Sequence, residues 1–180
     1  ALALIVPWRL GIAGGLLIAE RQAAARFPLL ADFESRVEAL MWRPTFEGRL
    51  QVRPRDGGGR ALALTGRPPQ QYPGATVANF PRDWSGYRRL EWDARAVGTD
   101  SLRFVLRLDD FQGRRDDAWL GARFAAGRQW RHYAWEPAAR FGLRPRRPVR
   151  LDDLDGLTFY LARPESVWTL EIDNLRLACP

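Results

Sequence analysis

From residue 31 onward the chain is built of short runs in which apolar and polar residues alternate. Leu90-Glu91-Trp92-Asp93-Ala94 and Leu102-Arg103-Phe104-Val105-Leu106-Arg107-Leu108 show the pattern most clearly. Period-two alternation describes a strand with one face buried, not a helix. Clusters of turn-forming residues separate the runs, among them Asp56-Gly57-Gly58-Gly59, Arg67-Pro68-Pro69 and Val97-Gly98-Thr99-Asp100. Strands are expected over residues 32–38, 48–54, 61–65, 75–80, 87–96, 101–109, 119–125, 130–136, 156–162 and 167–177. Many short strands at this spacing predict an all-β fold, an antiparallel β-sandwich or jelly roll.

Two acid-bearing runs stand at opposite ends of this region, Leu30-Ala31-Asp32-Phe33-Glu34 and Leu170-Glu171-Ile172-Asp173-Asn174-Leu175. Their placement suggests that the first and last strands are neighbours, and that a hard cation clips them together. The alternative is that these acids sit at strand ends and pair with arginines.

Residues 1–30 differ in texture. Apolar residues fill positions 1–19 except where Arg9 interrupts, and Glu20-Arg21-Gln22 ends the run. The length approaches the roughly 20 residues of a bilayer span, and Arg9 at mid-span would cost a few kcal/mol unless it reached the interface. Three readings stay open: a membrane anchor or a helix docked on a membrane partner, the remnant of a signal peptide, and a soluble buried helix. The expected organisation is an apolar N-terminal helical segment over 1–30 that anchors or docks, followed by a sandwich module over 31–180.

At 180 residues, 46% of them hydrophobic, the chain can bury a substantial core. All 28 basic residues are arginine and the net charge is +7. The arginines are scattered rather than gathered on one element, which argues against nucleic acid as a partner. Cys179 is the only cysteine, so neither a disulfide nor a thiolate metal site forms within the chain.

The order of motifs resembles a known family. Asp32-Phe33-Glu34 is followed by Tyr72-Pro73-Gly74, then by Asp83-Trp84-Ser85-Gly86-Tyr87. After Leu90 to Asp93 and Leu102 to Asp109 come Asp152-Asp153-Leu154-Asp155-Gly156-Leu157-Thr158-Phe159-Tyr160 and finally Ile172-Asp173-Asn174. From Leu30 to Leu177 the chain is similar to galactose-binding-like β-sandwich modules, the fold of many carbohydrate-binding modules. It most resembles the module appended to VanZ-type membrane proteins. The resemblance implies a structural calcium ion shared by the first and last strands, held here by Glu34 and Asp173 with Asp32 nearby. Backbone carbonyls would complete the six to eight oxygens calcium takes.

The resemblance also implies a glycan site on the concave sheet or at one loop edge. Sugar rings need aromatic platforms and in-plane polar groups. The candidates are Arg103, Arg107, Asp109, Trp119, Arg123, Tyr133 and Trp135, and alternation puts Arg103, Val105, Arg107 and Asp109 on one face. Relatives carry an acidic residue, Arg, Phe and Asn near positions 122–125. This chain reads Ala122-Arg123-Phe124-Ala125 and keeps only the central pair. The bland alternative is a solvated or partner-facing arginine sheet.

Asp83-Trp84-Ser85-Gly86-Tyr87 reads as a structural corner, and Trp92 and Trp130 read as core. Catalysis has little support. There is one histidine, His132, no nucleophile elbow, and the paired acids Asp109-Asp110 fall on opposite faces of a strand. The favoured expectation is a non-catalytic, membrane-associated sandwich on the extracytoplasmic (periplasmic) side, a scaffold subunit gripping membrane protein subunits. A bacterial photosynthetic or other energy-converting complex is one setting for it. Trp8, Arg9, Arg144, Arg146 and Arg147 would contact partner or membrane, since Trp and Arg are enriched at interfaces. The alternative is a module that binds cell-wall or extracellular glycan.

Overall fold

The computed structural model describes residues 5–35, 37–77, 79–111, 119–137 and 148–179, with side chains from residue 13 onward. A helix, α1 (Ile5–Arg26), leads into β1 (Leu29–Ala31), a short 3-10 helix (Glu38–Met41) and β2 (Trp42–Thr45). The strands β3 (Arg49–Pro54), β4 (Arg60–Gly66), β5 (Gly74–Val77), β6 (Arg89–Val97) and β7 (Ser101–Asp110) follow. The last four are β8 (Trp119–Gly127), β9 (Arg131–Trp135), β10 (Leu154–Leu161) and β11 (Trp168–Ala178).

All pairings are antiparallel and form two sheets. One, here the front sheet, runs β2-β5-β10-β7-β8. The back sheet runs β3-β4-β11-β6-β9, with β1 also on β11. The first and last strands are therefore neighbours, as the sequence suggests. β11 is long enough to pair β4 along its first half and β1 along its second, and the change of partner coincides with a register shift between Asp173 and Arg176. Asn174, at φ 51°, occupies that bulge.

The inward faces meet in an apolar interior. Leu62, Leu64, Leu90, Trp92, Leu170 and Ile172 come from the back sheet, and Leu102, Phe104, Leu106, Leu108, Phe159 and Leu161 from the front. Trp92 is fully buried. Its ring stacks on Tyr133 at 5.5 Å and meets Phe124 edge-on at 4.9 Å. Such aromatic pairs add about 0.5–1.5 kcal/mol each beyond area burial. The expected corner is present: Trp84 is buried beneath it, its indole N–H donates to the Pro81 carbonyl, and Ser85 donates to Asp83.

Three expectations are corrected. The strand expected over 32–38 is β1, over 29–31. Phe33 takes φ 56° and the Asp32 carboxylate accepts from the Glu34 N–H, so the chain turns away from the sheet there. β2 has no counterpart among the expected strands because Pro44 sits within it. An edge strand tolerates that proline, since β2 pairs only with β5. Trp130 is not core; it lies on the outer side of the back sheet between the guanidinium groups of Arg55 (4.2 Å) and Arg95 (5.1 Å).

The second half of α1 belongs to the same core. Ala19 and Ala23 are buried, and a Cβ at Gly15 would come within 2.8 Å of Leu40, so small residues let the helix lie close. A boundary at 30/31 thus falls inside β1. Leu17 and Ile18 are exposed on the other side. Among the described residues no helix is long and apolar enough to cross a membrane.

Arg26, in the last turn of α1, pairs with both Asp32 and the buried Glu38. Burial lifts the Glu38 carboxyl above its usual range; Asp32 adds to the lift and Arg26 opposes it. A carboxyl raised in the folded state contributes stability that is complete below its unfolded value and is lost as pH rises through the raised one. Glu38→Gln is therefore expected to flatten the decline in melting temperature as pH rises above the ordinary carboxylate range. Thermal scans from that range upward check it, and an unchanged slope would assign the decline to other groups.

Candidate functional site

The outer face of the front sheet is set by the register of its strands. On β7, Leu102, Phe104, Leu106 and Leu108 point inward, which leaves Arg103, Val105, Arg107 and Asp109 outward. On β8 their partners are Ala125, Arg123, Gly121 and Trp119. On β10, Thr158 lies opposite Arg107 and Tyr160 opposite Val105. Thr158 also faces Thr76 on β5, and Thr76 faces Arg43 on β2. One row across the sheet thus reads Arg43, Thr76, Thr158, Arg107, Gly121, and the next reads Thr45, Gly74, Tyr160, Val105, Arg123.

Two aromatic rings lie across glycines on this face. A Cβ at Gly121 would come within 2.5 Å of the Trp119 ring, and one at Gly74 within 2.7 Å of the Tyr160 ring. Any larger residue at either position would lift the ring off the sheet. Between them stands Arg107. Its guanidinium binds Asp109 through Nε at 2.9 Å and Nη2 at 2.5 Å, and packs 5.1 Å from the centre of the Trp119 ring. The Thr76 and Thr158 hydroxyls bond each other at 2.7 Å. Burial raises the Tyr160 phenol above its usual value, against the pull of the nearby Arg107 charge. Phe46, exposed in the β2–β3 turn, sits 6.0 Å from the Tyr160 ring.

Of the glycan-site candidates, Arg103, Arg107, Asp109, Trp119 and Arg123 share this face. Tyr133 and Trp135 do not. β9 pairs with β6 so that Tyr133 lies opposite Trp92 and Trp135 opposite Leu90, which turns both inward. The Tyr133 hydroxyl donates to the Ala125 carbonyl, and Trp135 is buried. Tyr160, Thr158, Thr76 and Arg43 are not among the sequence candidates. The alternation Leu157-Thr158-Phe159-Tyr160-Leu161 carried the signal for two of them.

The three calcium candidates each have a protein partner of their own. Asp32 pairs with Arg26, Glu34 accepts from the Arg60 N–H at 2.8 Å, and Asp173 is held by Arg55 at 2.5 Å. Among the described residues no group of three or more His, Cys, Asp or Glu is arranged to hold a metal ion. Arg55 instead bridges Asp173 and Asp93 (3.2 Å), a guanidinium standing between two acids. Burial raises Asp173 despite Arg55; Asp93, though partly buried, is held low by hydrogen bonds from Asn174, His132 and Arg55.

Asp109 and Asp110 face opposite ways, as expected. Asp110 is buried and accepts from the Arg150 N–H at 2.8 Å, so the two do not form a carboxylate pair across a cleft. Trp8 and Arg9 lie on α1, and their side chains fall outside the described part of the structure, as do Arg144, Arg146 and Arg147 entirely. A separate hollow of about 750 Å³ opens at the free edges of β2 and β3, lined by Trp42, Leu50, Val52 and Leu62. Its lining is largely apolar, with Arg49, Gln51, Arg53 and Thr65 also on it.

No protein-family model matches the chain, and no curated protein does. Solved structures do. An exo-β-agarase aligns with 84% of this chain at a TM-score of 0.69 and 16% identity; the chain spans only 25% of its length. The family 11 carbohydrate-binding module from Clostridium thermocellum, in complex with a β-1,3-1,4-mixed-linked tetrasaccharide, aligns over 84% of this chain and 94% of its own (TM-score 0.61, 19% identity). The CBM22-2 xylan-binding domain of a Paenibacillus barcinonensis protein aligns over 83% and 98% (TM-score 0.52, 17% identity). The chain has the β-sandwich fold of carbohydrate-binding modules. None of these three is a VanZ-type protein.

Proposed function

We propose that the chain is a carbohydrate-binding module without catalytic activity of its own, holding a glycan along the outer face of the front sheet. One observation carries the reading. Trp119 and Tyr160 each lie across a glycine on that face, with Arg107, Asp109 and the Thr76–Thr158 pair between and beside them. Ring faces take the apolar C–H surface of a pyranose. Guanidinium, carboxylate and hydroxyl groups supply the donors and acceptors that hydroxyl-rich ligands need. Neighbours of nearly the same length that bind a mixed-linked tetrasaccharide or xylan support it.

The expected role as a scaffold subunit of a membrane complex draws no such support from these neighbours, and the glycan-binding alternative takes its place. The extracytoplasmic location expected from the sequence remains part of this proposal.

Isothermal titration with mixed-linked β-glucan, xylan and agarose oligosaccharides, together with charged glycans, tests the reading. Saturable binding to at least one is expected. Tyr160→Ala should weaken it about 10-fold, the equivalent of ~1.4 kcal/mol. No binding to any member of the panel by the folded protein would overturn the proposal.

A further inference from the structure

The charge on the front face is one-sided. Its ladder-paired outward positions carry Arg43, Arg103, Arg107 and Arg123, against a single acid, Asp109. Asp109 is engaged by Arg107. Arg43, Arg103 and Arg123 are exposed, and among the described residues none of the three makes an ion pair.

The back sheet also carries exposed arginines without an ion pair among the described residues, Arg49 and Arg131, but only on its edge strands β3 and β9. Along β6 and β11 its arginines are answered. Arg95 pairs with Glu171 and Asp56, Arg55 with Asp93 and Asp173, and Arg176 with Glu91. The contrast lies on the interior strands: Arg103 on β7 has no acid beside it, whereas Arg95 on β6 and Arg176 on β11 are each paired.

Position adds to composition. Arg103 pairs with Ala125 and Arg123 with Val105, so the two arginines are diagonal neighbours on adjacent strands. Diagonal partners stand about 7–8 Å apart, where like charges repel unless something neutralises them. Arg43 lies in the same row as Arg107, three strand spacings away, or about 14 Å. Arginine forks match carboxylate and sulfate oxygens in bidentate geometry. A positive strip flanked by two aromatic rings fits a polymer with both ring faces and regularly placed anions.

We propose that this face selects an anionic glycan, one bearing carboxylate or sulfate groups, with Arg103 and Arg123 together receiving one anionic group and Arg43 another. The inference rests on the glycan-binding reading above and adds the substrate class to it.

The test titrates the protein with a polyuronate (alginate or polygalacturonate), a sulfated galactan and a neutral mixed-linked β-glucan, each at about 20 and 300 mM NaCl. The polyuronate and sulfated arms separate the two sources of negative charge. Tighter binding of at least one anionic glycan is expected, about 10-fold over the neutral one, and it should weaken with salt. An R103Q/R123Q double variant should lose that preference, its ratio of anionic to neutral affinity falling to about one, with its melting temperature unchanged. Equal binding of neutral and anionic glycans, unchanged in the double variant, would overturn the anionic assignment and leave the glycan face standing. No glycan binding at all would remove both. Binding of duplex DNA as tight as that of the polyuronate, and indifferent to Trp119→Ala, would show a general polyanion surface and overturn the proposal as well.

Discussion

Trp119→Ala is expected to reduce glycan affinity at least ~30-fold, the loss of about 2 kcal/mol that a central aromatic anchor commonly carries. Melting should shift little, since substitutions outside the core usually stay within about 0.5 kcal/mol, and Trp119 lies on the edge strand β8, facing outward. A second variant separates the ring's presence from its placement. Gly121→Ala keeps the indole, yet its Cβ would meet the ring carbons at 2.5 and 3.0 Å and the Leu106 carbonyl oxygen at 3.1 Å. The ring must then leave its seat across residue 121. If binding depends on the platform, Gly121→Ala should approach Trp119→Ala in effect. Titration of both variants against the best glycan from the panel decides it. Wild-type affinity in Trp119→Ala would mean the ligand, if any, lies elsewhere.

The largest stability effect is expected on the other sheet. Arg55 is the cation shared by Asp93 and Asp173, and the Asp173 side chain is only 6% exposed. Arg55→Met leaves that carboxylate buried without its partner, a kind of change that costs about 3–5 kcal/mol. In a chain of this size that is a fall of roughly 6–20 °C in melting temperature. The pH dependence follows from the two acids. Asp173 is raised by burial, so its contribution is complete below its unfolded value and is lost as pH rises through the raised one. Asp93 is held low by Asn174, His132 and Arg55 against its burial, so its contribution is present above the unfolded value and is lost as pH falls. The two oppose each other in the native protein. Without Arg55, Asp173 rises further and Asp93 loses one of its donors, so the variant should regain part of its deficit on acidification. Asp173→Asn in the Arg55→Met background should recover stability at neutral pH. Thermal scans of the three proteins at about pH 5 and pH 7 test this; a single-variant loss under about 1 kcal/mol would show that water or other groups already solvate the acids.

Much of the site was legible because alternation is a local property. Residues two apart on a strand share a face whatever the fold. Arg103, Arg107 and Asp109 therefore belong together in the sequence as they do in the structure, and so do Tyr133 and Trp135. Alternation does not say which face is inner. On β7 the four inward side chains are all large and apolar, so the choice was plain. On β9 the sequence Arg131-His132-Tyr133-Ala134-Trp135 offers aromatics on one parity and small or polar groups on the other. Ring faces that suit a sugar suit a core equally well, and only the pairing of Tyr133 with Trp92 turned them inward. Trp130 erred in the opposite sense. A tryptophan beside a strand reads as core, yet two guanidinium groups cover its ring on the outer side of the back sheet.

The acids tell the same story. Asp32, Glu34 and Asp173 suggested a shared cation because the first and last strands were expected to be neighbours; β1 and β11 are, although Asp32 and Glu34 lie in the turn that follows β1. What the motif does not show is that Arg26 and Arg55, from other elements, engage two of those carboxylates, while the Arg60 N–H takes the third.

The sequence alone determined the all-β class, most strand positions and the faces shared along each strand, because these depend on neighbours two to ten residues apart. Tertiary structure decided which faces are buried, and it brought Arg43, Thr76, Thr158, Arg107 and Gly121 into one row. Those five residues come from five strands scattered along the chain, and their order across the sheet is not their order in sequence. Only long-range backbone pairing sets such a row, and no local pattern records it.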